Sequence, residues 1–367
     1  MKDTHEKGNP TITARMLPDW RGGNPYQQLL ADGIELSGIK VSFYSDYFRG
    51  LPVFRDFLKN KGSVDVYHLH WLANYIRFED LPRKLFYSIK LLLDLYLVKA
   101  CGIKIVWTIH NLLPHEAKYP GLEKWISRRV AAAADGLIVH SGSARDAVEE
   151  AYGIDSSRIT VIPHGHYRSV YGELPDKSVS KNLLQLDEGK KIVLCFGLIR
   201  PYKGIEDLIE AWKRLPGDIK SGAMLLVVGK ARDKAYLDTL ELLKEDDSSI
   251  RLVEGFIPDN ELVTYFSAAD VVALPFRRIL TSGSLLLALG YGKLIVGPRI
   301  PLLEEILGEC PSHLFETDEE HGLSEAIRQA LLDNDRDTDS IAARAEEFSW
   351  DRIGMRTRDL YLKVLGK

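Results

Sequence analysis

Two cations, Arg200 and Lys203, lie in a short turn between a predicted strand and a predicted helix. The apolar run at 193–196 ends at Gly197, and a helical pattern begins near Gly204. The turn therefore places both cations beside the free N–H groups of a helix N-terminus, where an anion is favoured. This arrangement predicts a diphosphate site; the alternative is an ordinary strand-to-helix turn with surface charges.

Other segments of the C-terminal half place ligand-binding groups at the ends of strands and helices. A strand ends in glycine at 225–230, and Gly255, Phe256 and Ile257 lie at the end of the next one. Hydroxyls and a glycine stand together at the start of a later helix: Thr281, Ser282, Gly283 and Ser284. At that position, hydroxyls and backbone N–H groups cap the helix or bind phosphate.

The N-terminal half places glycines and polar side chains after its predicted strands. Gly22, Gly23 and Asn24 follow the first strand and open a helix, where glycine lets the backbone approach a ligand closely. Other polar residues lie at or near later strand ends: His68, His70, His110, Asn111, Ser141 and His164. Each histidine has two interpretations, a functional group or a hydrogen-bonded structural one.

Two patterns resemble metal sites without meeting the requirements of one. His68 and His70 are one residue apart, but a zinc site needs further ligands, and no third is apparent. Aspartates alternate over 333–339 as in a calcium loop, yet Thr338 stands where that loop needs glycine and Arg344 where it needs glutamate. We therefore expect no bound metal ion.

Short apolar strands alternate with helical segments in both halves of the chain. The predicted strands cover 11–17, 39–45, 64–71, 103–110, 136–141, 159–165, 191–197, 224–230, 250–256, 269–276 and 293–298. Buried strands that alternate with helices imply parallel sheets covered on both faces. We expect an α/β protein with two doubly wound, Rossmann-like domains and a ligand cleft between them.

The domain boundaries follow from length and local composition. A chain of 367 residues exceeds one typical core. We expect an N-terminal domain over 1–170 and a C-terminal domain over 189–348, joined by a polar linker at 171–188. A final helix within 349–367 is expected to pack back on the N-terminal domain.

Composition excludes several classes of protein. A formal net charge of −4 argues against broad nucleic-acid binding. The three cysteines, Cys101, Cys195 and Cys310, are far apart, which argues against a disulfide framework and favours the reducing cytoplasm. The polar N-terminus does not resemble a signal peptide.

The segment 83–101 has apolar residues at helical spacing together with four positive charges. Its uncharged stretches are shorter than the ~20 residues that a transmembrane helix needs. A buried domain helix is one interpretation, and peripheral contact with an anionic membrane is the other.

These motifs resemble, in order and spacing, those of the group 1 glycosyltransferases, which have the GT-B fold and use a nucleotide sugar. The resemblance covers nearly the whole chain. It implies diphosphate binding by Arg200, Lys203, Ser282, Gly283, Ser284, Gly22 and Gly23. It also implies a base site at Phe256 and Ile257. The residues implied to face the transferred sugar or the acceptor are Asn24, His110, Asn111, Ser141 and His164.

The chain departs from this family where the family usually carries two glutamates, eight positions apart, for the donor sugar and ribose. Ile279 and Leu287 stand there, and neither side chain accepts a hydrogen bond. Glu304 and Glu305 are candidate replacements. The departure indicates a divergent branch and leaves retention or inversion open. An inverting reaction needs a base, for which the candidates near strand ends are Asp19, Glu116 and His110.

The expected reaction is transfer of a hexose from a UDP- or GDP-sugar to a hydroxyl of a glycan or polyprenyl-diphosphate-linked acceptor in polysaccharide or glycoconjugate assembly. Resemblance to bacterial exopolysaccharide mannosyltransferases favours GDP-mannose. Beyond this co-substrate we expect no cofactor, because fixed cations and helix-terminal donors neutralise the leaving diphosphate. Two alternatives are a nucleotide-binding scaffold subunit, suggested by Ile279 and Leu287, and a sugar-nucleotide epimerase.

Overall fold

The protein consists of two compact units in a computed structural model. The structure describes residues 12–46, 50–60, 63–112, 118–277, 279–333 and 337–367. The first unit combines Met1–Gly165 with Ser349–Lys367, and the second unit is His166–Phe348. The C-terminal helix is thus grouped with the first unit.

The first unit is built on a six-stranded sheet in the order β2-β1-β3-β4-β5-β6, with every neighbouring pair parallel. Its strands are β1 (Thr13–Leu17), β2 (Lys40–Phe43), β3 (Val66–Leu69), β4 (Lys104–Thr108), β5 (Gly136–Val139) and β6 (Ile159–Val161). Its helices are α1 (Tyr26–Leu36), α2 (Pro52–Lys59), α3 (Leu81–Ala100), α4 (Pro120–Ala133), α5 (Gly142–Tyr152) and α16 (Trp350–Leu365).

The second unit repeats this plan with a sheet in the order β12-β11-β10-β7-β8-β9, again parallel throughout. Its strands are β7 (Lys191–Phe196), β8 (Ala223–Gly229), β9 (Ile250–Glu254), β10 (Val271–Ala273), β11 (Leu294–Pro298) and β12 (Ser312–Phe315). Its helices are α6 (Arg168–Tyr171), α7 (Lys177–Leu183), α8 (Ile205–Lys213), α9 (Gly217–Ser221), α10 (Lys234–Lys244), α11 (Asp259–Ala268), α12 (Gly283–Gly290), α13 (Pro301–Leu307), α14 (Gly322–Leu332) and α15 (Thr338–Ala345).

The predicted α/β class with two parallel sheets is confirmed. The central strands are apolar on both faces, as β5 illustrates with four buried residues, and helices cover both sides of such a sheet. Strand β12 escaped prediction because all four of its residues are only half-buried, so no continuous apolar run marks it. It lies at the edge of the sheet.

The stretch 171–188, which we predicted to be a linker, belongs to the second unit and contains α7. The Asp176 side chain caps this helix by accepting hydrogen bonds from the backbone N–H groups of Ser178 and Val179. The Lys181 side chain anchors the end of the helix by donating hydrogen bonds to the carbonyls of Glu188 and Lys190. Polar side chains make these contacts, so the segment lacks the apolar periodicity that would have predicted a helix.

Helix α3 presents opposite faces to the protein and to solvent. Leu91, Leu95 and Val98 are buried, together with an ion pair between Lys84 of α3 and Glu123 of α4. The other face leaves large apolar side chains exposed: Leu85, Phe86, Ile89, Leu93 and Tyr96. In the ranges that the structure describes, no helix has the length and apolar character required to cross a membrane.

Helices α1 and α16 cross at very short range. An added Cβ at Gly33 would lie 2.2 Å from the Trp350 carbonyl oxygen, and one at Gly354 would lie 2.1 Å from the Gly33 carbonyl carbon. Only glycine permits backbones to approach so closely. This crossing brings Trp350 against Tyr26, the first residue of α1, with ring centroids 5.3 Å apart.

Candidate active site

Lys203 of the second unit is a buried ammonium group bonded to neutral oxygens. It ends the short turn Pro201–Lys203 after β7, and its Nζ donates to the Phe196 carbonyl at 2.9 Å and to Ser284 Oγ at 3.2 Å. Burial lowers the pKa of Lys203, and the positive charge of Arg200 lowers it further. A desolvated cation next to a second cation is an environment that an anion stabilises.

The start of helix α12 lies beside this lysine. Ser282 is the N-cap, its Oγ accepting a hydrogen bond from the Leu285 N–H at 3.1 Å, and Gly283 is the first helical residue. Ser284 links this helix to Lys203 through the 3.2 Å bond. The structure thus brings Arg200, Lys203 and the Ser282–Ser284 segment together at a helix N-terminus, a position that favours an anion.

Two glycines give the turn its tight geometry. Gly197 has φ +115°, and an added Cβ would lie 2.6 Å from Lys203 Nζ. Gly204 has φ +67°, and an added Cβ would lie 2.1 Å from the Pro275 carbonyl oxygen. Both positions combine a left-handed backbone with close packing, so a side chain at either one would displace the lysine or the backbone.

The predicted base site follows β9 at the edge of the second sheet. Phe256 is 75% exposed, which leaves its ring face available to a planar ligand, and Ile257 beside it is half-buried. Both residues follow the carboxyl end of their strand, the edge at which α/β sheets bind ligands.

The positions that the family usually fills with glutamates are apolar in the structure as well. Leu287 is buried in α12, and Ile279 is half-buried just before it. Of the two candidate replacements on α13, Glu304 pairs with Arg299 at 3.4 Å and Glu305 is exposed. Both follow β11, at the same edge of the sheet as the lysine turn.

In the first unit, the glycine loop after β1 is held by Gln27. The Gln27 side chain accepts from the Trp20 N–H at 2.7 Å and donates to the Pro18 carbonyl at 2.9 Å. An added Cβ at Gly22 would meet open space, whereas one at Gly23 would lie 3.1 Å from the Trp20 indole nitrogen. Asn24 Oδ1 accepts from the Tyr26 N–H at 2.9 Å and so directs the chain into α1.

Of the candidate bases Asp19 and Glu116, the structure describes only Asp19. Asp19 forms a two-pronged ion pair with Arg21, and this hydrogen bonding lowers the pKa of the Asp19 carboxyl. A carboxylate held in this way is a weaker proton acceptor than a free one. Glu116 lies outside the described residues.

Two further predicted residues lie where strands β4 and β5 end. Ser141 is the N-cap of α5, with its Oγ accepting from the Ala144 N–H at 3.0 Å. This capping bond uses a lone pair of the Ser141 oxygen, and Ser143 Oγ lies 3.0 Å away as a second partner. Asn111 is exposed after β4.

A histidine follows the carboxyl end of each of four neighbouring strands. These residues are His70 after β3, His110 after β4, His140 after β5 and His164 after β6. All four are buried, and burial is the largest cause of the lowered pKa of each. His164 Nδ1 lies 2.7 Å from the Gly165 carbonyl oxygen.

His140 was missed in the sequence, although it ends a buried strand just as His110 does. His68, by contrast, lies inside β3. Its ring nitrogens lie 2.6 Å from the Tyr361 hydroxyl and 2.7 Å from Thr108 Oγ1, so His68 is a hydrogen-bonded structural residue.

His110 has no ring nitrogen left for a substrate in this arrangement. Its Nε2 lies 3.3 Å from His70 Nδ1, its Nδ1 lies 3.4 Å from His140 Nε2, and its ring stacks on Trp71. As a lone base, His110 would have to break one of these contacts. Among the described residues, no group of three or more His, Cys, Asp or Glu is arranged to hold a metal ion.

The comparisons with known proteins agree with the motif order. The family model Glycosyl transferases group 1 matches residues 176–347, and Glycosyltransferase Family 4 matches residues 18–166. The chain is 26% identical over 347 residues to a GDP-mannose:glycolipid 4-beta-D-mannosyltransferase of Xanthomonas campestris pv. campestris. That alignment covers 94% of this chain and 89% of the relative.

Solved structures share the fold across nearly the full length of this chain. Sucrose-phosphate synthase from Thermosynechococcus elongatus matches with a TM-score of 0.74 at 16% identity, covering 97% of this chain and 99% of that one. Anabaena HepE in complex with UDP matches with a TM-score of 0.71 at 17% identity, covering 95% and 99%. The fold and the matched domains define an enzyme of the GT-B glycosyltransferase class. The chain belongs to the group 1 glycosyltransferases.

Proposed function

We propose that this enzyme transfers mannose from GDP-mannose to a hydroxyl of a glycolipid acceptor at the cytoplasmic face of a membrane, in polysaccharide or glycoconjugate assembly. The observation that carries the proposal is the buried Lys203 held between the Phe196 carbonyl and Ser284 at the start of α12. The choice of donor and acceptor rests on the relative whose printed activity is GDP-mannose:glycolipid mannosyl transfer.

The lysine turn has the chemistry that departure of a nucleoside diphosphate requires. Negative charge develops on the leaving phosphate as the bond to the sugar breaks. Arg200, Lys203 and the N-terminus of α12 supply fixed positive charge and N–H donors at one place, so little reorganisation is needed during the reaction. These groups support transfer without a metal ion, which we propose for this enzyme.

We infer that the reaction inverts the anomeric carbon. The mannose of GDP-mannose is α-linked, so formation of a 4-β linkage, as in the name of the relative, inverts that carbon. The apolar Ile279 and Leu287 support a mode of donor binding that differs from the rest of the family. Inversion requires a group that removes the proton of the acceptor hydroxyl.

The exposed face of α3 supports contact with an anionic membrane surface. Its apolar side chains form the wall of a groove of about 460 Å³ lined by Leu51, Phe86, Ile89, Lys90 and Leu93, among others. Monomeric proteins rarely expose such a contiguous apolar face. Lysines and arginines beside it are complementary to anionic lipid headgroups.

Helix α4, which packs against α3, carries a basic surface of its own. A groove of about 490 Å³ is lined by Lys124, Trp125, Arg128 and Arg129, with Tyr152 at one side. Helices α3 and α4 pack on each other through the Lys84–Glu123 ion pair. An apolar ridge, an exposed tryptophan and several cations are the features with which proteins bind membrane interfaces.

A donor-binding panel tests the proposal. The melting temperature of the full chain is measured with GDP, GDP-mannose, UDP and UDP-glucose. We expect GDP and GDP-mannose to stabilise the protein, because a ligand at 100 times its Kd adds about 2.7 kcal/mol. Stabilisation by UDP-glucose alone would overturn the choice of donor, and no shift with any nucleotide would overturn the nucleotide-sugar site.

A further inference from the structure

Three of the strand-end histidines form a continuous hydrogen-bonded chain. His70 Nδ1 lies 3.3 Å from His110 Nε2, and His110 Nδ1 lies 3.4 Å from His140 Nε2. His140 Nδ1 lies 3.0 Å from the carbonyl oxygen of Ile162. The chain runs across the carboxyl ends of β3, β4 and β5 and ends on the backbone that follows β6.

The Ile162 carbonyl determines the tautomer of all three histidine rings in this hydrogen-bonded chain. A carbonyl oxygen only accepts, so the proton of neutral His140 must be on Nδ1, and its Nε2 must be bare. His110 must then donate from Nδ1 and accept at Nε2. By the same rule His70 donates from Nδ1, and its Nε2 carries a lone pair.

The accepting nitrogen at the end of the histidine chain has no hydrogen-bond partner in the part of the protein that the structure describes. Among the described residues, His70 Nε2 is buried without a hydrogen bond, and the whole residue is 1% exposed. A buried polar atom without a hydrogen bond is destabilising, so it calls for an explanation beyond packing. The backbone of His70 is fixed by Trp107, whose Nε1 donates to the His70 carbonyl at 3.0 Å.

We propose that His70, His110 and His140 act as one proton relay for glycosyl transfer, with His70 Nε2 as the accepting end and His140 as the place where the proton rests. This inference rests on the proposed function, since the proton comes from the acceptor hydroxyl. His70 is then the catalytic base, and His110 and His140 are positioning residues that hold its lone pair ready.

The relay conserves its hydrogen bonds as the proton moves. The acceptor O–H bond breaks as the oxygen bonds to the anomeric carbon and the bond from that carbon to the diphosphate breaks. His70 Nε2 takes the proton and passes its Nδ1 proton to His110 Nε2. His110 passes its Nδ1 proton to His140 Nε2. Each of the three contacts remains, and the positive charge ends beside the Ile162 carbonyl.

The surroundings favour His140 as the charged member. Burial lowers the pKa of His140 to about 4, and the hydrogen bond to the Ile162 carbonyl partly opposes this effect. Burial and the other histidines lower the pKa values of His70 and His110 well below the usual range. Among the described residues, the other titratable groups that face these three histidines are Tyr26 of α1, His68 of β3 and His164 after β6.

Nitrogen-15 NMR of the full chain with labelled histidine tests the tautomers without any substrate. We expect His70, His110 and His140 all to carry the proton on Nδ1 at neutral pH. In the His140→Leu variant, which has no hydrogen-bonding group at this position, His110 and His70 lose this constraint, so the signal of His70 should change although it is two rings away. A proton on Nε2 of wild-type His70, or a His70 signal that is unchanged in His140→Leu, would overturn the relay.

Acid titration of the same sample, over the pH range in which tryptophan fluorescence remains that of the folded protein, tests where the proton rests. As the pH falls, His140 should become doubly protonated while the single proton of His70 moves from Nδ1 to Nε2. A doubly protonated His70 in the first step would overturn the assignment of the resting place.

Kinetics of the full enzyme then test the catalytic step. We expect His70→Gln to lower kcat by about 10²-fold or more with little change in KM, as expected for loss of a general base. His321→Gln, an exposed histidine of the second unit, is the matched control. Wild-type kcat in His70→Gln overturns the relay. If the wild-type enzyme transfers no mannose, the proposed function is overturned instead. The NMR result still tests the tautomers of the three histidines, because it needs no substrate.

Discussion

Lys203 keeps a positive charge in surroundings that disfavour an ammonium group. Its two bonds go to the Phe196 carbonyl and the Ser284 hydroxyl, and burial lowers its pKa. Arg200 increases that unfavourable energy through repulsion, and a bound diphosphate would remove it. The residue is therefore prepared for an anion, since the free protein bears a cost that the complex does not.

Lys203→Ala should weaken binding of GDP by about 10- to 100-fold, because a hydrogen bond to a charged group contributes about 1.5–3 kcal/mol. Guanosine, which has no phosphate, should bind the variant and the wild type equally. Isothermal titration with both ligands measures the difference. Lys363→Ala, which removes an exposed lysine of α16, controls for net charge. Equal losses for GDP and guanosine would contradict the diphosphate role.

The sequence predicts which residues share a site where their order along the chain is enough to place them at the same edge of a sheet. The turn with Arg200 and Lys203 and the helix start at Ser282–Ser284 are such cases, because parallel strands put their following loops at one edge. The same rule places the strand-end histidines at one edge of the first sheet, but it does not predict the hydrogen bonds between their rings. His140 carries no motif, and its importance comes from contacts across three strands to His110 and Ile162.

At the scale of elements, α3 shows why the direction of an amphipathic face is hard to predict. Apolar residues surround most of this helix, so the sequence indicates a helix over 83–101 but not which side is buried. The structure buries the side with Lys84 and Asp94, whose charges find partners on α4 and α2. The largest apolar side chains are left outside.

Phe86→Glu together with Ile89→Glu should reduce binding to vesicles that contain phosphatidylglycerol. Both side chains are exposed, so the change should remove the apolar contact and add charge repulsion without unfolding the helix. Vesicle co-sedimentation at low and high salt measures the loss. Met355→Glu, at an exposed apolar position of α16, should bind as the wild type does. Equal binding by all three proteins would count against the α3 surface.

Helix α2 and strand β12 mark the limit of prediction at this scale. Both are short, so neither continues a periodic pattern over the number of residues that distinguishes long elements. Helix α2 depends on a partner distant in sequence, because the Asp94 carboxylate accepts from the Val53 and Phe54 N–H groups at 2.9 and 2.7 Å. The long buried strands, by contrast, were evident from their apolar runs.

At the scale of the whole molecule, the buried histidines make the first unit sensitive to acid. Burial lowers the pKa of His68 to about 3, of His140 to about 4 and of His164 to about 3. The unfolded chain protonates these rings below its ordinary histidine pKa of about 6.5, whereas the folded unit does not. Stability is therefore full above that pH and falls as the pH decreases toward 4.

We predict that the free energy of unfolding decreases by up to about 1.4 kcal/mol per pH unit for each of these histidines below pH 6.5. Asp94 opposes this trend, because burial raises its pKa to about 6 and acid relieves that penalty. Urea unfolding followed by tryptophan fluorescence at pH 7 and pH 5 measures the net change. Trp212 is the sole tryptophan of the second unit in the sequence, so the signal reports mainly on the first. A higher stability at pH 5 than at pH 7 would contradict the burial of these histidines in their neutral form.

Transfer of radiolabelled mannose from GDP-mannose to a polyprenyl-diphosphate-linked glycan tests the central claim most directly. The full chain is incubated with donor, acceptor and chelator, and label is counted in the lipid phase. The proposed function predicts labelled glycolipid with a β-mannosidic bond, formed at an undiminished rate with chelator present, and strongly reduced labelling by Lys203→Ala. GDP binding by the folded protein without any labelled product, across acceptors with different terminal sugars, would contradict it.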